Sequence, residues 1–536
     1  MTVESDSEPS QVAVATSGMS VSLIDLTISV GNRVLLENAN VHFEPGRVSL
    51  IVGCSGAGKS VLLRTLAGLI PKSDPVVKVK GKVACTSEDY VSKSNKNPIG
   101  IVFQNFALFD EFSALDNVRF AESHRSRGRE DATATQLLDA LEVPRSTPTS
   151  ALSGGQKQRL AIARTLAFAP DVILYDEPTS GLDAITAHRV ARMIGETHDR
   201  FPKTSIIVTH DYESLPGIAD DIFLFDPNSR SLTKVPPDQW TNLPQLLQAP
   251  PIQKGESKPV SRLQRFAKSC QAGLGDFFDL TTRAAVAVAK SPLSVLPLWR
   301  SPKWGLRYLL HYLRLVAGPS AWAYVVVAGM IIGFVATYFT FKFLPYSSYT
   351  EPLLIENLLH SMGFALYRIL VPVMTTILIA ARSGAAVASD VGGKSYGNQL
   401  AAMRTLDANP QRYLLSTVLL AFLIGTPILL GISYVVATLT SLLAFIASHP
   451  DEGSIFWDMH YHRELRIPGQ FLYAGTSWLV SKTLICAFGT AMVCYHRGVQ
   501  PKRSTRDVSE GITSAILWST LWVLAVQFVF SFIEFE

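Results

Sequence analysis

Cysteine is scarce in this chain. Cys54, Cys85, Cys270, Cys486 and Cys494 are odd in number and show no CxxC or Cys/His spacing, which argues against a disulfide framework or a zinc site and leaves ordinary thiols. Excess charge is also lacking, with 48 Lys and Arg against 44 Asp and Glu. The basic residues gather into no stripe interleaved with aromatics, so nucleic acid is not an expected partner. Residues 1–18 are polar and acidic, without the basic start and apolar core of a signal peptide. The expectation is a disordered N-terminus over residues 1–20 that stays in the cytoplasm. Long apolar runs are missing up to about residue 260 and frequent from about residue 318 onward. A chain of 536 residues is long enough for two to four domains, and the asymmetry predicts a soluble domain followed by a membrane domain.

The most specific motif is Gly53-Cys54-Ser55-Gly56-Ala57-Gly58-Lys59-Ser60, directly after the apolar run Val48 to Val52 and before the helix-forming run Val61 to Leu69. Strand, glycine loop and helix form the context in which Gly-x-x-x-x-Gly-Lys-Ser works as a P-loop. The glycines let backbone N–H groups and the helix N-terminus point at phosphate oxygens, Lys59 neutralises them, and Ser60 is placed to ligand Mg²⁺. Gly53, Ser55, Gly56, Ala57, Gly58, Lys59, Ser60 and Val61 are thus the candidate cradle, with ATP and Mg²⁺ as expected cofactors. Ile101-Val102-Phe103-Gln104 is a second apolar strand, ending in an amide able to reach Mg²⁺ or an attacking water. Residues 105–150 read as mostly helical, with the mixed charges of a solvated insertion that includes Arg125 to Asp131. Strands alternating with helices over 21–240 predict an α/β P-loop NTPase domain.

Leu152-Ser153-Gly154-Gly155-Gln156, followed by Gln158-Arg159, resembles the signature motif of ABC-type ATPases. Val172 to Glu177 is an apolar strand ending in paired carboxylates, similar to a Walker B motif. Ser180-Gly181-Leu182-Asp183 resembles the D-loop, and Ile206 to His210 a strand ending in the switch histidine. Phosphoryl transfer to water needs positioning and charge neutralisation. Asp176 is expected to hold Mg²⁺ through water, and Glu177 to act as general base, with His210 and Gln104 beside it. The resemblance implies that Ser153, Gly154, Gly155, Gln156 and Asp183 complete the ATP site of an opposite subunit, and hence a homodimer. Where the family carries an adenine-stacking aromatic, the matching position here reads as Ile28, so a looser nucleotide preference is expected.

Residues 241–262 hold Pro244, Pro250, Pro251 and Pro259 among Gln, Lys and Ser, which is linker chemistry. Over 263–317 two amphipathic segments are expected. Leu263, Phe266, Cys270, Leu274 and Phe277 recur at helical spacing, and Trp299 to Leu315 mixes aromatics with basic residues. Both suit a lipid headgroup layer; packing on the ATPase domain is the alternative, since periodicity does not say which apolar partner a helix meets.

The region 318–536 reads as an all-α polytopic membrane domain. Ala321 to Phe341, Leu358 to Ala381, Tyr413 to Ser448, Leu472 to Tyr495 and Ile512 to Phe532 are long enough to span. The third holds Pro427 and reads either as one bent helix or as two elements. The loops 382–412 and 496–511 are rich in Lys and Arg, which places them in the cytoplasm by the positive-inside bias. The stretch from Ala381-Arg382-Ser383-Gly384 to Asp390, continuing to Asn409-Pro410-Gln411-Arg412-Tyr413-Leu414, resembles the cytoplasmic loop of MlaE-type permeases, the membrane subunits of ABC systems that move phospholipids with MCE-domain proteins. Three of that pattern's acidic positions are occupied by Asp390, Asn398 and Asn409. The helix-forming run Asn398 to Leu406 is well placed to dock on an ATPase. Arg368 lies inside a span, where a lone Arg costs roughly 2.5–3.5 kcal/mol. It is expected to face a lipid phosphate or to reach an interface, with Glu356 as a candidate partner. His449, Asp451, Asp458, His460, His462 and Glu464 share an outward loop and read as a docking surface or, less simply, a metal site.

The resemblances together imply an ABC half-transporter with ATPase and permease fused, multi-pass in the cytoplasmic (inner) membrane with its ATPase in the cytoplasm. Membrane lipids and an outward MCE-domain protein are the implied partners, and phospholipid or a related amphiphile the implied cargo. Another hydrophobic substrate, or an ATP-gated channel or regulator, are the rival readings.

Overall fold

The structure is a computed structural model that describes residues 18–71, 74, 76–86, 99–125, 132–243, 297–343, 347–502 and 504–535. The linker, the first amphipathic segment with Cys270, and the charged run after Arg125 lie outside the described residues. The chain divides into two compact units. The first holds the described residues to 243 together with Gly397–Ala408, and the second holds 297–396 and 409–535.

In the first unit, β3 (Val48–Val52), β6 (Val172–Asp176) and β7 (Thr204–Thr209) are buried at every residue. Short continuous apolar, β-branched runs of this kind suit the middle of a parallel sheet covered on both faces. They lie in a six-stranded sheet ordered β5-β6-β7-β3-β8-β9, with β5 (Ile99–Val102) and β8 (Asp221–Asp226) also parallel and β9 (Ser231–Val235) antiparallel. A separate antiparallel sheet is ordered β2-β1-β4, from β1 (Ser20–Val30), β2 (Arg33–Phe43) and β4 (Val77–Thr86). The run forming β4 carries Lys78, Lys80 and Lys82, all exposed, which protect an edge strand from further pairing. Its weak apolar pattern gives little strand signal in the sequence. Helices α1 (Lys59–Leu66), α2 (Ala114–His124), α3 (Ala134–Ala140), α4 (Gly154–Ala167) and α5 (Ala184–Arg200) complete this part.

The second unit is helical. It contains α6 (Pro302–Ala317), α7 (Pro319–Lys342), α8 (Ser347–Ala365), a π-helical turn Leu366–Leu370, and α9 (Val371–Tyr396). In chain order the short α10 (Gln399–Thr405), which belongs to the first unit, comes next. The second unit resumes with a π-turn Gln411–Leu415, α11 (Ser416–Ser448), α12 (Ser454–Tyr461), α13 (Thr476–Val499) and α14 (Thr505–Phe535). Among the described residues, five helical stretches are long and apolar enough to cross a membrane. Pro427 sits inside a single α11, so the two-element reading of 413–448 does not hold.

The aromatic stripe of Trp299 to Leu315 faces other helices of this unit, while Leu306 and Leu310 stay exposed. Trp304, Tyr308, Tyr312 and Val316 are buried at 0–2% exposure, on the side of α6 that packs against α9 and α11. The aromatic stripe is thus the core face of the bundle. Arg382 adds to this joint by donating to the Leu315 carbonyl (2.8 Å), while Ser383 Oγ donates to the Val316 carbonyl (2.8 Å). Carbonyls left open where α6 stops before Gly318-Pro319 are thereby satisfied.

Helices α7 and α11 meet through small residues. Gly329, Gly333 and Thr337 recur every fourth position opposite Ser433, Ala437 and Ser441, and a Cβ on Gly333 would fall on the Ala437 carbonyl. Thr337 Oγ1 donates to Ser441 Oγ at 2.7 Å, and Thr375 Oγ1 to Ser433 Oγ at 2.9 Å. In lipid, close backbone approach and such bonds replace the hydrophobic drive that is absent between helices. Gly333→Leu is therefore expected to part the two helices and lower stability by about 1–3 kcal/mol, read as a fall in the thermal unfolding midpoint in detergent, whereas Ile331→Leu on the exposed face should leave it unchanged.

Candidate functional site

The P-loop lies between the end of β3 and the start of α1. Gly56 and Gly58 have φ of +75° and +110°, backbone that L side chains avoid. Gly53 is buried, and a Cβ there would come within 2.8 Å of the Phe225 carbonyl. Lys59 is buried and donates to the carbonyls of Gly53 (2.8 Å) and Cys54 (3.0 Å), bending across the loop it belongs to. Burial lowers the Lys59 ammonium from its ordinary range, while Glu177 at 3.7 Å works against that shift. Ser55 and Gly56 are exposed, Ala57 is fully buried, and Val61 bonds back to Gly58 as α1 begins. The result is a glycine loop folded around a buried lysine at the start of a helix. That arrangement fits a polyphosphate.

Across the sheet, β6 ends at Asp176. Its Oδ1 accepts the Ser60 hydroxyl at 3.0 Å. Burial pushes the Asp176 carboxyl up, and the Ser60 hydroxyl and the Arg64 guanidinium pull the other way. A hydroxyl facing a buried carboxylate oxygen matches the hard-oxygen donors that Mg²⁺ prefers. Glu177, held at φ +47° with its N–H on the Val208 carbonyl, turns its carboxylate toward Lys59 and toward His210 Nδ1 at 3.4 Å. A non-glycine residue in that conformation is strained, which is common where a side chain must point at reacting atoms. With a phosphate chain bound, Lys59 would neutralise charge, Ser60 and Asp176 would hold Mg²⁺, and Glu177 would take the proton of the attacking water. Bound Mg²⁺ would supply Lewis-acid polarisation of the phosphate oxygens.

Not every expected residue sits there. Gln104 is exposed and donates to Ser180 Oγ at 3.1 Å, so it stands on the D-loop rather than against Asp176. Ser153 caps α4 in a reciprocal box with Gln156: Ser153 N–H donates to Gln156 Oε1 (3.0 Å) and Gln156 N–H to Ser153 Oγ (3.3 Å). Gly154 and Gly155 are exposed with open space where a Cβ would stand, and Asp183 caps α5 through Thr186. Among the described residues, no hydrogen bond or ion pair joins Ser153, Gly154 or Gly155 to the P-loop of the same chain.

Ile28, which stands where an adenine-stacking aromatic was looked for, is buried at 1% exposure between Leu36 and Val79 and offers no face to a base. The half-buried residue two positions on, on the same strand face, is Val30, which is aliphatic too. Arg368 meets Glu534, not Glu356. Its Nε and a terminal nitrogen lie 2.8 and 2.7 Å from Glu534 Oε1, Lys482 Nζ lies 3.2 Å from Oε2, and Lys482 also reaches the Arg368 carbonyl in the π-turn. Glu356 instead faces His460 at 3.5 Å. His462 lies 3.0 Å from Asp458, His360 of α8 lies 2.6 Å from Glu464, and His449 Nδ1 lies 2.9 Å from Ser448 Oγ. Among the described residues no group of metal-ligating side chains converges.

Sequence reading missed contacts made at long separation. Arg64 of α1 donates to Asn398 Oδ1 (3.3 Å), Asn398 Nδ2 donates to Asn105 Oδ1 (3.3 Å), and Gln399 Nε2 donates to Asp110 Oδ2 (2.8 Å). Gln158 Nε2 donates to the Pro178 carbonyl at 3.1 Å, tying α4 to the turn after Glu177. The helix-forming run at Asn398 pointed to the first of these areas, but nothing pointed to its partners.

A family model described as ABC transporter matches residues 36–180, and one described as Permease MlaE matches residues 312–533. The chain is 35% identical over 212 residues to the sulfate/thiosulfate import ATP-binding protein CysA of Mesostigma viride, covering 39% of this chain and 60% of that protein. It is 36% identical over 219 residues to the aliphatic sulfonates import ATP-binding protein SsuB 2 of Burkholderia cenocepacia, covering 40% and 77%. The chain thus spans 60% of the length of the first of these relatives. Among solved structures, cbiO1 from Clostridium perfringens, part of the ABC transporter complex cbiONQ, is 25% identical over 42% of this chain and 92% of its own, with a TM-score of 0.35.

Glu177→Gln keeps the shape of the site and removes the base. It is expected to retain ATP binding in the presence of Mg²⁺ and to lower steady phosphate release on the order of 10²-fold or more, measured with the purified full chain; unchanged turnover would remove Glu177 from the role.

Proposed function

The chain belongs to the ABC transporter family, an ABC ATPase part followed by an MlaE-type permease part, and from that premise we propose that it hydrolyses ATP to move phospholipid or a related amphiphile. The observation that carries the cargo is the permease match over residues 312–533, which includes the loop from Arg382 to Leu414. The import proteins for sulfate and sulfonates share about two fifths of this chain, all of it in the ATPase part. An ATPase of this kind reads phosphate and passes on motion, so its relatives' cargo does not carry over to a different membrane part. The membrane part also holds a cavity of about 210 Å³ lined by Tyr367, Val371, Pro427, Leu430, Gly431 and Leu479. Its apolar wall suits a hydrocarbon segment better than a hydrated oxyanion.

The protein acts as a homodimer in this reading. Ser153, Gly154 and Gly155 are exposed at the N-terminus of α4, where backbone donors and the helix dipole favour an anion. A second copy offering its P-loop would supply that anion as bound ATP, and the two composite sites would close and reopen with each cycle. The cytoplasmic membrane is the proposed location, with an MCE-domain protein as the outward partner. The paired His and acidic side chains of the loop after α11 offer a polar surface for it.

The test is purification in native lipid particles, mass spectrometry of retained lipids and proteins, and transport of labelled phospholipid after reconstitution. Enriched phospholipid and ATP-dependent movement that is absent in the Glu177→Gln chain are expected. ATP turnover stimulated by sulfate or an alkyl sulfonate, with no lipid moved, would overturn the cargo assignment while leaving the ATPase reading in place.

A further inference from the structure

Between α11, which ends at Ser448, and α13, which begins at Thr476, the chain makes the short helix α12 and then a closed loop in which the Ala474 N–H donates to the Leu465 carbonyl at 2.8 Å. Helix α12 has two faces. Trp457 and Tyr461, four residues apart, are buried, while Ile455 and Met459, also four apart, are 78% and 61% exposed. At the loop tip, Ile467-Pro468-Gly469-Gln470 forms a turn with Gly469 at φ +80° and the Gln470 N–H on the Ile467 carbonyl at 3.0 Å; Pro followed by Gly is the pair a type II turn asks for. The turn presents Phe471, fully exposed, and Leu472, 61% exposed. Its base is braced. Arg466 donates to both Asp458 carboxylate oxygens (3.0 and 2.9 Å), and the Tyr473 ring stacks on His462 (5.7 Å) and meets edge-on the ring of Tyr367 (5.4 Å), a wall of the apolar cavity. Four large apolar side chains are thus held out on a fixed scaffold, which marks an interaction surface.

We propose that Ile455, Met459, Phe471 and Leu472 form a wedge seated in the outer leaflet of the bilayer that the long helices cross, at the boundary of headgroups and acyl chains. The proposal rests on the multi-pass membrane reading and is independent of the cargo. Three observations select lipid as the occupant. The first is reach. Phe471 stands five residues before the start of α13, at most about 17 Å along the chain, and the headgroup layer to be entered is about 5–7 Å thick on each side of the hydrocarbon. The second is continuity, because in chain order the wedge follows the exposed stripe Leu439, Leu443 and Ile446 at the end of α11 and precedes exposed Trp478 and Val480 in the first turns of α13. Trp is the usual anchor at that depth. The third is the company of Arg463 and Arg466, both exposed beside the wedge, whose long stems let a guanidinium stay among headgroup phosphates while apolar neighbours sit deeper.

The test places an environment-sensitive fluorophore on Phe471→Cys or Met459→Cys in the full chain in lipid nanodiscs, with the parent chain treated alike to subtract the native thiols. Both positions are exposed, so the replacements leave the core intact. Nitroxide on the upper acyl chain and aqueous iodide are the quenchers. Compared with a label on Asp451→Cys, in the exposed turn after α11, the wedge labels are expected to be quenched about threefold more by the lipid nitroxide and about threefold less by iodide. Iodide quenching equal to that at Asp451 would put the tip in water. Protection from both quenchers would put it under protein, a second copy or an outward partner. Either result overturns the proposal. Labels on Leu443→Cys and Phe528→Cys, exposed positions within the spans, report on the reading beneath it. If lipid nitroxide reaches these and not Phe471 or Met459, the wedge alone fails; if it reaches none of them, the membrane reading fails as well.

Discussion

The contact on which the first unit depends is the hydrogen bond from the Ser60 hydroxyl to Asp176. It joins the helix that follows the glycine loop to the end of a strand two places away in the sheet, across β7. A buried carboxylate without such a partner would be costly. With it, a negative group is held beside a buried lysine and at the carboxyl ends of parallel strands, where open α/β sheets bind their ligands. Glu177, Lys59 and His210 then fall into place because each is one residue, one loop or one strand away from that joint.

The second unit solves a different problem. In hydrocarbon the helices gain little by burying apolar surface, so they are held by small residues and by polar pairs. The α7–α11 seam is an example of the first. The cluster of Arg368, Lys482 and Glu534 is an example of the second, where one carboxylate on the last helix answers two cations from separate helices and a carbonyl loosened by the π-turn finds an ammonium. Breaking one member of such a buried set leaves an uncompensated charge.

Much of the fold was legible because the local pattern and the chemistry coincide. Val48 to Val52, Val172 to Tyr175 and Ile206 to Val208 are short, mainly apolar runs that lead to Gly53, Glu177 and His210, and each lies in a buried strand. The spans were legible from length and composition. The strand Val77–Thr86 was not, because Gly81 interrupts its short alternation of Val and Lys. The aromatic face of α6 was visible as a face, but its partner stayed open between lipid and protein, since periodicity gives the direction of an apolar stripe and not what meets it.

The sequence by itself located the candidate phosphate site, because Gly53 to Ser60 is a short contiguous motif whose residue types favour phosphate and Asp176 and Glu177 close a buried strand. It also determined that the second half is made of membrane-length helices. Only the tertiary structure decided the pairings that cross the chain. Arg368 with Glu534, Asn398 with Arg64, and Gln104 with Ser180 are separated by 166, 334 and 76 residues. No local preference links such positions; the folded backbone brings them within hydrogen-bond reach, and that proximity selects the partner.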